Sequence, residues 1–220
     1  MNRTFAVVTF DVGGTLIEPW PSVGHVYAEV AERFGVRAEP AELTRQFRTA
    51  WKEKRIFDYS RAAWFGLVRR TFAGHGPLPE EFFPAVYERF AEPDAWRVFD
   101  DVLPVLDALA SRGVRLGVVS NWDERLKPLL RRLKLHQHFE TVVVSCDVGA
   151  TKPSPSIFTH ALRRLGVEPA AALHVGDGVR EDVEGARAAG MASVLLARGG
   201  STERSDGAIH TLHELPTLLG

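Results

Sequence analysis

Phe5-Ala6-Val7-Val8-Thr9-Phe10, followed at once by Asp11-Val12-Gly13-Gly14-Thr15-Leu16, decides how this chain is read. The first six residues are apolar except for Thr9, and a short continuous apolar run suits a strand covered on both faces, as in a parallel sheet. A carboxylate and two glycines then end it. Four later runs have the same character: Val114–Ser120, Thr141–Ser145, Ala171–Val175 and Ala192–Ala197. Between them apolar residues recur with helical spacing. In Asp101–Arg112, Val102, Val105, Leu106 and Leu109 fall on one face, and Gly113 stands where a terminating glycine would. Glu124–Leu135, Ser156–Leu165 and Glu181–Ala189 follow suit, the last two closed by Gly166 and Gly190. Strand and helix alternating at short intervals predict an α/β fold, a doubly wound parallel sheet of five strands.

The first strand breaks the alternation. After it, the chain reads as four helices, Val23–Phe34, Ala41–Lys54, Ser60–Phe72 and Glu80–Phe90, punctuated by Pro19, Pro21, Gly74, Gly76, Pro77, Pro79 and Pro93. The expected organisation is an α/β core of residues 1–17 and 97–220, with a helical domain of residues 18–96 inserted after strand one.

Composition narrows the function. Hydrophobic residues make up 45% and charged residues 25% of the 220, which is ordinary for a globular chain. A formal net charge of −1 gives no reason to expect nucleic acid or an anionic membrane as partner. No apolar stretch approaches a membrane span. The run after Met1-Asn2-Arg3 is too short for a secretion signal, and the single cysteine, Cys146, excludes an intrachain disulfide, so the expected compartment is the reducing cytoplasm. Nothing in the sequence sets the oligomeric state.

In open α/β sheets the ligand lies beyond the carboxyl ends of the strands. Here those ends carry Asp11, then Ser120-Asn121, then Thr151-Lys152-Pro153-Ser154-Pro155, then Gly176-Asp177 with Asp182 just beyond. A carboxylate so placed can attack phosphorus and form an aspartyl phosphate. Asp11 and Asp177 together can hold Mg²⁺, which binds through one or two carboxylates and otherwise through water, carbonyl and phosphate oxygens. Lys152 adds a positive charge, and Ser120 with nearby backbone N–H groups can donate to phosphoryl oxygens. The expected partner is a small-molecule phosphate ester.

The order D-x-x-G-T-L, a strand ending S-N, K-P-x-P and G-D-x-x-x-x-D resembles the four motifs of the haloacid dehalogenase superfamily, in the branch with a helical cap between the first two. The resemblance spans the whole chain. It implies that Asp11 is the nucleophile, that Lys152 acts with it in catalysis, and that Thr15, Ser120, Asn121 and Lys152 bind the phosphate. It also implies Mg²⁺ as cofactor, with Asp11, the Gly13 carbonyl and Asp177 as ligands and Asp182 as ligand or contact to a metal-bound water.

One position departs from that pattern. Phosphatases of the superfamily usually carry a second aspartate two residues after the nucleophile, serving as general acid and then base. Gly13 stands there. A positioned acid or base contributes about 10²–10⁴-fold. Three readings follow. The first is a phosphatase whose proton comes from elsewhere, with His25 the nearest titratable group along the chain, or whose leaving group needs none. The second is cleavage of a carbon–halogen or carbon–phosphorus bond; the phosphonate version needs an imine-forming lysine, for which Lys52 and Lys54 are the inserted domain's candidates. The third is a non-catalytic metabolite-binding or interaction protein. Among other residues, Trp20 and Tyr27 read as hinge packing, Trp51, Trp64 and Trp96 as helical core, His174 as a satisfied polar residue beside the sheet, Glu181 as a charge favouring a helix start, and Cys146 as a small buried side chain.

Overall fold

A computed structural model describes residues 5–54, 57–199 and 207–219. Met1-Asn2-Arg3, on which the absence of a secretion signal was argued, lie outside the described residues. The chain divides into two compact units, Met1–Ile17 with Val98–Gly220, and Glu18–Arg97.

The first unit holds the sheet. Strands β1 (Val7–Phe10), β4 (Arg115–Ser120), β5 (Thr141–Val144), β6 (Ala172–Gly176) and β7 (Ala192–Leu195) stand in the order β5-β4-β1-β6-β7, every pair parallel. The remaining strands, β2 (Ile17–Pro19) and β3 (Trp96–Val98), form a separate two-stranded ribbon that periodicity did not reveal. β1 is buried along its whole length, as a central strand covered on both faces must be. Helices α5 (Val102–Ser111), α6 (Leu126–Arg132), α7 (Ser145–Val148), α8 (Pro155–Leu165), α9 (Gly185–Ala188) and α10 (Leu215–Leu218) complete the unit. Helix α8 buries Ile157, Phe158, Ala161, Leu162 and Leu165, the stripe its spacing predicts, against Val7, Val119 and Val143.

Ends differ from expectation where side chains, not periodicity, set them. β5 stops at Val144, because Ser145 turns its hydroxyl to the backbone of Trp122 and opens α7. Cys146 is consequently exposed rather than buried, and desolvation with the neighbouring Asp147 pushes its thiol up to about 11, which leaves it protonated and unreactive at neutral pH. The predicted helix Glu181–Ala189 begins instead as a π-helical turn, Val179–Glu184, running into α9.

The second unit contains helices α1 (Val23–Arg33), α2 (Pro40–Lys52), α3 (Arg61–Thr71) and α4 (Phe82–Arg89). Ser22 and Ser60 cap α1 and α3 by accepting from His25 N and Ala63 N. Its core is aromatic: Tyr27, Phe72, Phe82 and Phe83 are buried with Val30, Leu43, Val68 and Val86. Gly24 lets α1 meet α2, since a Cβ there would fall 1.9 Å from the Pro40 carbonyl oxygen. Trp51 and Trp64 stack within the unit as expected, and Arg97 lies over the Trp20 ring at 3.9 Å.

Candidate active site

β1 delivers Asp11 from the middle of the sheet, where the order turns from β4 on one side to β6 on the other. Phe10 pairs with Val118 and with Val175, so the ends of β4 and β6 flank Asp11. This is the crevice in which open α/β sheets bind ligands.

Asp11 is nearly buried, at 8% exposure. Its Oδ1 accepts from Ser120 Oγ at 2.9 Å and from Lys152 Nζ at 2.6 Å. Lys152, itself 5% exposed, donates also to Asp182 Oδ1 at 2.5 Å. A buried ammonium between two carboxylates is held firmly as a cation: burial opposes its charge, but Asp11 and Asp182 together raise it well above its ordinary value. Asp182 accepts further from His174 Nε2 at 3.1 Å and from Gly178 N at 2.8 Å. An ionised carboxylate only accepts, so Nε2 carries a proton, while His174 Nδ1 lies 2.9 Å from Thr9 Oγ1. A chain of polar contacts thus runs from the sheet interior through His174, Asp182 and Lys152 to Asp11.

Asp177 stands on the other side of the cluster. The residue as a whole is exposed, while its carboxyl group lies down against Gly14. Only glycine permits this: Gly14 has φ +78°, and a Cβ would fall 2.4 Å from Asp177 Oδ2. Asp11, Asp177 and Asp182 each offer an oxygen within 4.8 Å of the others. Desolvation, then the charges of Asp11 and Asp182, lift the Asp177 carboxyl to about 7. Asp11 is raised too, by burial against the opposing pull of Lys152. Excess negative charge on converging oxygens, with room on the Asp177 side, is the donor set of a hard divalent cation.

The remaining predicted residues divide. Asn121 spends its carboxamide on Lys152, accepting from Lys152 N at 2.7 Å and donating to Lys152 O at 3.0 Å, so it ties the β4 loop to the lysine. Thr15 Oγ1 is buried with no hydrogen-bond partner and makes no link to the cluster, while the Thr15 carbonyl accepts from Arg198, which also grips buried Asp101 at 2.7 and 2.9 Å. Gly13 forms an isolated bridge with Ile17. Asp182, expected as a metal ligand or a contact to a metal-bound water, lies in the acidic cluster with three donors on its two oxygens, two on Oδ1 and one on Oδ2. Outside this unit, His25 is exposed and bonded to Ser22, Lys52 is exposed, and Lys54 lies 3.7 Å over Trp51. His174 is the satisfied polar residue expected beside the sheet, to which the structure adds the tie to Asp182; nothing in the sequence marked Arg198.

Residues 5–190 match the family of haloacid dehalogenase-like hydrolases. The chain belongs to that family. Haloacid dehalogenase-like hydrolase domain-containing protein 3 of Danio rerio is 36% identical, over 96% of this chain and 95% of that protein. Glyceraldehyde 3-phosphate phosphatase of Methanopyrus kandleri is 34% identical, over 87% of this chain and 84% of its own length. The HAD phosphatase of Thermococcus onnurineus shares 29% identity and a TM-score of 0.68, with 97% of each chain aligned. Structures of 2-haloacid dehalogenases match this fold as well.

Proposed function

We propose that this hydrolase is a Mg²⁺-dependent phosphatase of a small phosphorylated metabolite, working in the cytoplasm through an aspartyl phosphate on Asp11. The observation that carries the reading is the asymmetric dressing of Asp11. Ser120 and Lys152 both donate to Oδ1, which orients the carboxylate and leaves Oδ2 to attack. Attack on phosphorus forms the Oδ2–P bond as the ester P–O bond breaks; water then attacks phosphorus and releases phosphate and free Asp11. Asp11, Asp177 and the Gly13 carbonyl would hold Mg²⁺, which would offset the repulsion between an anionic ester and the aspartates. Lys152, fixed by Asp182 and Asn121, meets the phosphoryl charge without reorganising. The phosphatase activity named for the Methanopyrus relative supports the substrate class. The helical unit, inserted directly after the nucleophile's loop, has the role of a cap that selects the metabolite.

Loss of the acid at Gly13 would also suit carbon–halogen cleavage. Asp177 argues against it, since a second carboxylate beside Asp11 repels the carboxylate of a haloacid unless a cation intervenes. Lys54, engaged on Trp51, and exposed Lys52 lend no support to an imine mechanism. The test is a screen of phosphorylated metabolites with and without Mg²⁺. Phosphate release abolished by EDTA is expected; EDTA-resistant turnover of 2-haloacids would contradict the reading.

A further inference from the structure

The space above Gly13 is filled. A Cβ placed there would stand 3.2 Å from Trp122 Cζ3 and 3.9 Å from Cη2, closer than side chains ordinarily pack. Backbone conformation does not demand the glycine, because the positive φ belongs to Gly14 and not to Gly13. What crowds a side chain there is the six-membered edge of the indole. The loop that carries Trp122 is fixed on both flanks. Asn121 is clamped to Lys152; Trp122 N donates to Ser145 Oγ at 3.0 Å, whose hydroxyl donates back to Trp122 O at 2.9 Å; and Asp123, 1% exposed, accepts from Arg125 N at 3.1 Å and from its guanidinium. The loop is therefore held before any ligand arrives, and Trp122 is only half-buried.

We infer that Trp122 is a specificity-determining residue, an apolar wall on the leaving-group side of Asp11 that favours phosphate esters with a planar, weakly basic leaving group such as a phenol. The inference rests on the phosphatase reading above. Where relatives of this superfamily place an acid to protonate the departing oxygen, this chain presents ring C–H groups, which have no proton to give. An alkoxide departing there goes unassisted. A phenolate needs no proton, and its ring finds an aromatic neighbour, a contact worth about 0.5–1.5 kcal/mol beyond area burial.

The experiment measures kcat and KM of the Mg²⁺-loaded full chain on phenyl phosphate and on glycerol 3-phosphate. Wild type is compared with Trp122→Phe and Trp122→Leu, and melting curves are recorded alongside. Leucine keeps an apolar side chain and removes the ring, so a folded variant is expected. The prediction is that Trp122→Leu raises KM for phenyl phosphate about threefold to tenfold with kcat little changed, leaves glycerol 3-phosphate unaffected, and that Trp122→Phe restores the preference. A wild type that releases no phosphate from either ester or from any metabolite of the screen overturns the phosphatase reading and this inference with it; one that turns over glycerol 3-phosphate but not phenyl phosphate overturns the inference alone. An active wild type whose KM for phenyl phosphate is unchanged by Trp122→Leu overturns the inference alone.

Discussion

The site has an anchored side and an open side, and two aspartates of one motif mark the difference. Asp182 is buried; burial works against its charge, yet Lys152 and His174 hold its carboxyl well below the usual carboxylate range. Asp177 reaches the rim and is lifted to about 7 by desolvation and by the charges of Asp11 and Asp182, which outweigh the opposing pull of Lys152. One carboxylate is consumed in holding a cation of the protein in place. The other is left short of a cation. Stability resides on the first side and ligand affinity on the second, so substitutions on the two sides should behave oppositely.

The largest expected effect is on the anchored side. Lys152→Met leaves Asp11 and Asp182 as buried charges without their partner, which should cost about 3–5 kcal/mol in denaturant unfolding along with nearly all activity. An unchanged unfolding midpoint would show that the lysine does not anchor the site. On the open side the sign reverses. A carboxyl whose folded pKa is raised binds a proton more readily folded than unfolded, so metal-free stability should fall between about pH 4 and 7 and level off above. Asp177→Asn removes that fall, and its thermal midpoint in EDTA should exceed wild type at pH 8 but not at pH 4. The same titration predicts that Mg²⁺ affinity weakens by up to about tenfold per pH unit below 7, because the ion displaces one proton. Calorimetric titration at pH 6 and pH 8 reads this directly, and equal affinities would remove Asp177 from the metal site. The smallest effect belongs to the link between loops. Asn121→Ala frees the Lys152 backbone and should cost about 1–3 kcal/mol in stability, with a modest fall in kcat.

Much of this was legible in the chain because the strands of a parallel sheet are uniformly apolar and end abruptly. Asp11, Ser120, Lys152, Asp177 and Asp182 could be named from strand ends alone, and the fold brings all five into one cluster. What could not be read was direction. That Asn121 turns its amide onto Lys152, that Ser120 donates to Asp11, and that Trp122 lays its ring edge over Gly13 depend on loop geometry, which has no period. The ribbon of Ile17–Pro19 with Trp96–Val98 escaped because three residues show no alternation. Cys146 was misplaced by one boundary: the strand ends at Val144, and the next residues wind outward as α7.

The central claim is that Asp11 becomes phosphorylated, and the direct measurement is a trap. Protein turning over phenyl phosphate in Mg²⁺ is quenched with borohydride, which reduces an acyl phosphate to an alcohol, and residue 11 is sequenced by mass spectrometry. The account predicts homoserine at position 11, dependent on both substrate and Mg²⁺, and none in inactive but normally folded Asp11→Asn. Sustained turnover with residue 11 unmodified, or full activity in Asp11→Asn, would contradict it.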